Sequence, residues 1–271
     1  MGVRADPGRG RDHAGTGGRR RLCQDHAVPA ETPTILATSG GFLPGRRTPL
    51  RPGPLLELSI ELAGAPRLPR ICFIGTALGD QAHWNAAIHA AWYGRDVLVT
   101  CLDLFPMPNV EDVDTLLRAQ DVIWVGGGST ANLLALWRLH GLDAILRRCW
   151  EAGVVLGGVS AGSICWHAGG TTDSFGPDLR ALTDGLAFLP WSNCVHYDAE
   201  EQRRPLYHRL IGAGELVAGY ATDNGVGLLY RGTVMEEAVA DGPGRAAYFV
   251  ERRGDGSVAE RRIEPRLLPG G

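Results

Sequence analysis

One serine stands in the pattern Gly158-Val159-Ser160-Ala161-Gly162, straight after the apolar run Val154-Val155-Leu156-Gly157-Gly158-Val159 and just ahead of Ile164-Cys165-Trp166. A strand that turns sharply into a helix at a serine needs small neighbours. Such a turn thrusts the hydroxyl out at the carboxyl end of a sheet, where open α/β sheets keep their ligands. The chemistry this predicts is attack of Ser160 on an acyl carbon, with the Ala161 N–H at the start of the helix stabilising the oxyanion. A second loop, Val125-Gly126-Gly127-Gly128-Ser129-Thr130, also joins an apolar run to a helical pattern. Its glycines let backbone amides approach a ligand, so Gly127 or Gly128 is the candidate second oxyanion donor. Ser129 and Thr130 are candidates to cap the helix or to contact substrate. A phosphate loop is disfavoured, because the spacing is wrong and all 27 basic residues are arginine.

An unactivated serine is a poor nucleophile and needs a base. Of eight histidines, His13 and His26 fall in an Arg/Gly-rich N-terminal stretch, and His83, His89 and His140 lie in or beside helical patterns. His167 is so close to Ser160 that it is expected on the helix that follows. His196 closes an apolar run in Trp191-Ser192-Asn193-Cys194-Val195-His196 and is the best candidate. Asp173 or Asp223 could orient its imidazole, and either could equally be a turn residue. The 36 positions from Ser160 to His196 are too few for a standard α/β-hydrolase lipase or esterase.

These residues must be held by a sheet. Apolar runs at 34–38, 70–74, 97–101, 122–125 and 154–159 read as strands covered on both faces, and helical patterns at 55–62, 81–92, 110–117, 131–139 and 142–150 alternate with them. This rhythm predicts a three-layer α/β/α sandwich with a mainly parallel sheet. Residues 225–263 read as antiparallel hairpins closing its C-terminal edge. The 271 residues then form one catalytic domain over 31–265, after a disordered extension at 1–30, where large apolar side chains are almost lacking. Residues 44–54, rich in Pro, Gly and Arg, read as a surface loop.

Composition narrows the class. With no lysine there is no Schiff-base or acylating lysine, and outside the first 27 residues the chain is mildly acidic, so neither nucleic acid nor an anionic membrane is an expected partner. No apolar run approaches the roughly 18 residues that span a bilayer, and no apolar core follows the N-terminal arginines as in a secretory signal. The expected location is cytoplasmic, with the six cysteines as free thiols, mostly buried.

Taken together, Val125–Thr130, Gly158–Gly162, Thr171-Thr172-Asp173 and His196 resemble the peptidase E family of serine peptidases, aspartyl dipeptidases whose fold is related to class I glutamine amidotransferases. The resemblance covers most of residues 33–263. It implies Ser160 as nucleophile, His196 as general base and acid, Asp173 as third member, and Gly127 or Gly128 with Ala161 as oxyanion donors. It also implies small peptides as substrates and no metal or organic cofactor. Monomer and homodimer both stay open. Selection of an N-terminal aspartate requires cationic groups, for which Arg203 and Arg204 are the candidates. A cyanophycinase-like exopeptidase acting on β-linked aspartyl peptides would use the same triad, and a silent relative that binds a small molecule would keep only the fold.

Overall fold

The computed structural model describes residues 2, 30, 32–65 and 67–270; most of the N-terminal extension, with His13, Cys23 and His26, lies outside them. The chain begins with β1 (Thr34–Thr38), the short hairpin β2 (Phe42–Pro44) and β3 (Leu50–Pro52), and α1 (Pro54–Ala63). Then come β4 (Arg70–Ile74), α2 (Ala82–Trp92), β5 (Leu98–Leu102), α3 (Val113–Arg118) and β6 (Val122–Val125). Two consecutive helices, α4 (Thr130–His140) and α5 (Leu142–Glu151), lead to β7 (Val155–Val159) and the single turn α6 (Ala161–Ile164). The remainder is strand-rich: β8 (His167–Thr172), β9 (Arg180–Leu182), β10 (Leu189–Cys194), α7 (Arg203–Ala213), β11 (Gly219–Thr222), β12 (Val226–Arg231), β13 (Val234–Ala240), β14 (Ala247–Arg252), β15 (Val258–Ile263) and β16 (Arg266–Leu267).

Eight strands form the main sheet in the order β16-β13-β12-β1-β7-β6-β4-β5. From β1 to β5 all neighbours are parallel, and β12 and β13 are antiparallel. The parallel strands are buried as continuous apolar runs because helices cover both faces. On one face α1 and α2 pack over Leu36, Phe73, Trp124 and Val155; on the other, α4 to α6 pack over Ile35, Ile123 and Leu156. The chain runs from β4 outward to β5 and then back to β6. Strand order therefore reverses between β4 and β6, where a crevice opens at the carboxyl ends.

Two expectations are revised. The C-terminal hairpins divide: β12 and β13 close the main sheet, while β14 and β15 join β11, β10, β8 and β9 in a second, six-stranded sheet. The stretch at 44–54 is not wholly a loop, since Phe42↔Pro52 and Pro44↔Leu50 pair across a tight hairpin. Proline suits this pair because each strand of a two-stranded ribbon turns its alternate backbone donors outward, free of a ladder partner.

Candidate active site

The elbow has the predicted geometry. Ser160 sits between β7 and α6 at φ 57° and ψ −112°, a conformation that costs a non-glycine residue on the order of 1–3 kcal/mol and persists only where the surroundings impose it. Its N–H donates to the Thr38 carbonyl (3.0 Å), while its own carbonyl accepts from Ser163 (2.8 Å) and Ile164 (2.9 Å). The flanking glycines leave no room for a side chain. A Cβ on Gly162 would lie 2.3 Å from the Val125 carbonyl oxygen, and one on Gly158 would lie 2.4 Å from that of Gly162. This packing sets the elbow directly against the end of β6.

The glycine loop after β6 therefore adjoins the nucleophile. A Cβ on Gly127 would stand 3.2 Å from Ser160 Cβ and 3.8 Å from its Oγ. Among the described residues, the N–H groups of Gly127, Gly128 and Ala161 donate to no other protein group. Gly128, at φ 129°, backs onto the Ala77 carbonyl. Ser129 caps α4, accepting the Asn132 N–H (3.3 Å), and Thr130 is buried against Thr172. Ser129 is partly exposed, and its hydroxyl is otherwise free of protein partners among the described residues.

His196 arrives from the second sheet, just past β10. Like Ser160 it has positive φ, 54°, and these are two of only four such non-glycine residues among those described. Ser39, the residue after β1, joins the two halves. Its Oγ accepts the His196 N–H (3.2 Å) and pairs with Thr222 Oγ1 (2.7 Å), while the preceding Thr38 carbonyl holds Ser160. His196 Nδ1 lies 2.5 Å from Asn224 Oδ1, and the Asn224 N–H donates to Asp198 Oδ1 (2.7 Å). With the amide oxygen facing the ring, Nδ1 carries the proton and Nε2 is left as the basic nitrogen. Among the described residues Ser160 Oγ and His196 share no hydrogen bond in the free protein.

The candidate acids sit elsewhere. Asp173 is exposed after β8 on the rim of an acidic cleft with Glu200 and Glu201, and its carboxylate makes no hydrogen bond among the described residues. Asp223 is buried, its Oδ2 accepting the Ala246 N–H (2.8 Å), and burial raises its pKa. It fastens the β11–β12 turn to β14. The group against the imidazole is its neighbour Asn224, which the sequence did not mark beyond its place in the turn Asp223-Asn224-Gly225.

The two arginines are occupied too. Arg203 is buried, its Nε donating to Glu200 (2.8 Å) and its NH1 to the Thr171 carbonyl (2.9 Å). Arg204 pairs with Glu260 and lies over the rings of Tyr197 (5.1 Å) and Tyr248 (4.8 Å). His167 lies on β8, not on a helix. Its Nδ1–H donates to the Ser163 carbonyl (2.9 Å), its Nε2 accepts from the Tyr230 hydroxyl (3.2 Å), and burial lowers its pKa to about 4. The five described cysteines are free, and Cys165, wholly buried, has its thiol pKa pushed well up. No helix among the described residues is long and apolar enough to cross a membrane.

The family model for peptidase family S51 matches residues 36–238, the span that carries the elbow, the glycine loop, His196 and Asn224. The chain belongs to this family. As an S51 member it is a peptidase, and the serine type follows from the family. It is 45% identical over 201 residues to the "Uncharacterized peptidase YgaJ" of Bacillus subtilis (strain 168), covering 74% of this chain and 84% of that protein. Among solved structures it resembles a peptidase from an acI-B1 Actinobacterium, with TM-score 0.60 and 15% identity over 86% of this chain and 95% of that one. It also resembles a "Putative Peptidase E Protein" from Listeria monocytogenes EGD-e, with TM-score 0.50 and 20% identity over 86% of this chain and all of that one. At those identities the two structures speak to the fold: the S51 elbow sits at the carboxyl edge of a mainly parallel sheet.

Proposed function

We propose that this S51 peptidase cleaves small peptides through an acyl-enzyme on Ser160, with His196 as general base and acid and Asn224 steering its ring. His196 Nε2 takes the Oγ proton as Ser160 attacks the scissile carbonyl, and the oxyanion is received by the N–H groups of Ala161 and of Gly127 or Gly128. Collapse breaks the C–N bond, and Nε2 returns the proton to the leaving amine. Water, deprotonated by the same nitrogen, then hydrolyses the ester and frees Ser160. Asn224 supplies orientation without a full charge, an arrangement that serves cysteine nucleophiles on other folds.

The observation that carries this reading is the shared anchor. Thr38 and Ser39, adjacent in the chain, hold Ser160 and His196 respectively, each of them at positive φ. Strain held at two residues on one seam is the mark of a preorganised site. Nothing in the positions of Arg203 and Arg204 favours selection of an aspartate. The experiment is labelling by a serine-directed fluorophosphonate, followed by peptide mapping. Labelling at Ser160 that vanishes in a folded Ser160→Ala variant, together with loss of peptide turnover, is the expected result; turnover retained by that variant refutes the mechanism.

A further inference from the structure

We propose that the cavity beside the elbow is the acyl-side specificity pocket and accepts one bulky apolar side chain, such as leucine, phenylalanine or methionine, and not aspartate. The inference rests on the serine-peptidase reading above and names its substrate class. The cavity, of about 260 Å³, opens at the β4–β6 crevice and is bounded by Gly126, Gly127 and Val159, the residues that flank the nucleophile. Phe42, Phe73 and Trp124 form its inner wall, and Ile88, Leu78 and Trp84 close it from the side of α2. Leu78 and Trp84 are each 37% exposed, so the mouth shows apolar surface that no described residue covers.

Charge decides against a carboxylate. The lining holds no ionisable side chain; its polar side chains are Gln81 and Asn85, and the Asn85 amide donates to Asp103 at 2.8 Å. An ionised side chain placed there would lose water without gaining a charged partner, whereas an apolar one gains by leaving water. Direction decides which side of the bond the pocket serves. His196 comes from the second sheet with Thr222 and Asn224, while the cavity lies on the opposite, α1/α2 face of the main sheet. The leaving nitrogen must lie toward His196 to be protonated, so the acyl residue points the other way, past Gly127 into the cavity.

The test compares Leu-Ala, Phe-Ala, Ala-Ala and Asp-Ala as substrates of the full chain and of Leu78→Arg, a substitution at the exposed mouth. The expected result is kcat/KM for Leu-Ala and Phe-Ala about 10-fold or more above Ala-Ala and about 100-fold above Asp-Ala, with Leu78→Arg narrowing the gap to Asp-Ala about 10-fold. Asp-Ala cleaved as well as Leu-Ala, or a ratio unmoved by the arginine, overturns the pocket while leaving the serine mechanism standing. If nothing is cleaved and Ser160 takes no fluorophosphonate, the mechanism falls by itself, and calorimetry on Ser160→Ala judges the pocket. Phe-Ala binding at least 10-fold tighter than Asp-Ala then sustains it, and equal or reversed affinity, or no binding of either, removes it.

Discussion

The nucleophile and the base meet on one seam but are held there by different kinds of structure. Ser160 is placed locally: β7 delivers it, α6 leaves from it, and glycines at 158 and 162 bring it against β6 with backbone touching backbone. His196 is held mainly by side chains distant in sequence, Ser39 after β1 and Asn224 after β11, which are braced in turn by hydrogen bonds to Thr222 and to Asp198. A contact between backbones tolerates almost nothing, because no rotamer can relieve it. A web of hydrogen bonds tolerates more, since each net contribution is about 1 kcal/mol and a lost partner can be replaced by water near the surface. Damage at the elbow should therefore appear as lost folding, and damage at the histidine as lost turnover.

The largest effect is expected where the elbow touches β6. Gly162→Ala must push the Val125 carbonyl from 2.3 Å to ordinary contact, and that overpacking should cost about 3 kcal/mol or more. Urea unfolding should show either a much lower midpoint or no folded protein. A variant of near wild-type stability would mean that the elbow is as forgiving as the histidine side, and the contrast would vanish.

The next effect concerns the buried histidine beside the elbow. His167 is frozen neutral beneath the elbow, tying α6 to β12 through Ser163 and Tyr230. Burial lowers its pKa to about 4 against an ordinary 6.5, so the unfolded chain binds the proton more readily than the folded one. Stability from this group is whole above pH 6.5, falls as pH drops toward 4, and levels off below that. The integrated loss is about 3 kcal/mol. In His167→Gln that part of the acid slope should disappear, as read from urea midpoints at pH 7 and pH 4; an unchanged slope would show that the imidazole is protonated in place.

How much of this was legible follows the same division. The strands at 34–38 and 122–125, the elbow and the glycine loop are written in adjacent residues, because continuous burial and close backbone packing both leave local signatures. The second sheet is legible only in part: its hairpin β14–β15 shows in the alternation near the C-terminus, while its inner strands are hard to read. His167–Thr172 and Leu189–Cys194 carry buried Thr171, Thr172, Ser192 and Asn193; Thr171, Ser192 and Asn193 bond Cys194, Tyr207 and Tyr220 from elsewhere in the chain, and Thr172 bonds Ser174 nearby. Polar residues at buried positions break the apolar pattern of these strands, so only the end of β10 stands out in the sequence. Asn224 was missed for a related reason: its role depends on the fold of β11 and β12, while its type promises only a turn.

Asn224 gives the third test, smaller and confined to turnover. Asn224→Ala removes the group that faces Nδ1 without touching the backbone contacts of the seam. It should lower kcat about 10- to 100-fold, with KM and the urea midpoint little changed. Asn224→Asp should restore much of kcat while moving the acid limb of its pH profile upward, since a carboxylate beside the imidazole favours the charged ring. A stability loss equal to that of the elbow variants, or a pH profile unmoved by the aspartate, would make Asn224 a structural residue only.

The smallest effect separates the two arginines. Arg204 is half exposed, paired with Glu260 and stacked over Tyr197 and Tyr248. Burial alone would raise the Glu260 carboxyl, but hydrogen bonds from Arg204, His208 and Tyr197 hold its pKa down to about 2. Water screens the ion pair and His208 still hydrogen-bonds Glu260, so Arg204→Ala should cost only about 1 kcal/mol. Arg203 is different: it is buried, and Arg203→Ala would leave the Thr171 carbonyl without its guanidinium donor and the β8–α7 junction with a hole. That change should cost about 3 kcal/mol. Neither substitution should alter the ratio of Leu-Ala to Asp-Ala cleavage, because neither guanidinium borders the pocket beside Gly127. A ratio that moves with Arg204 would place a carboxylate-binding group at the second sheet and would shift acyl recognition from the α1/α2 face to the histidine side of the seam.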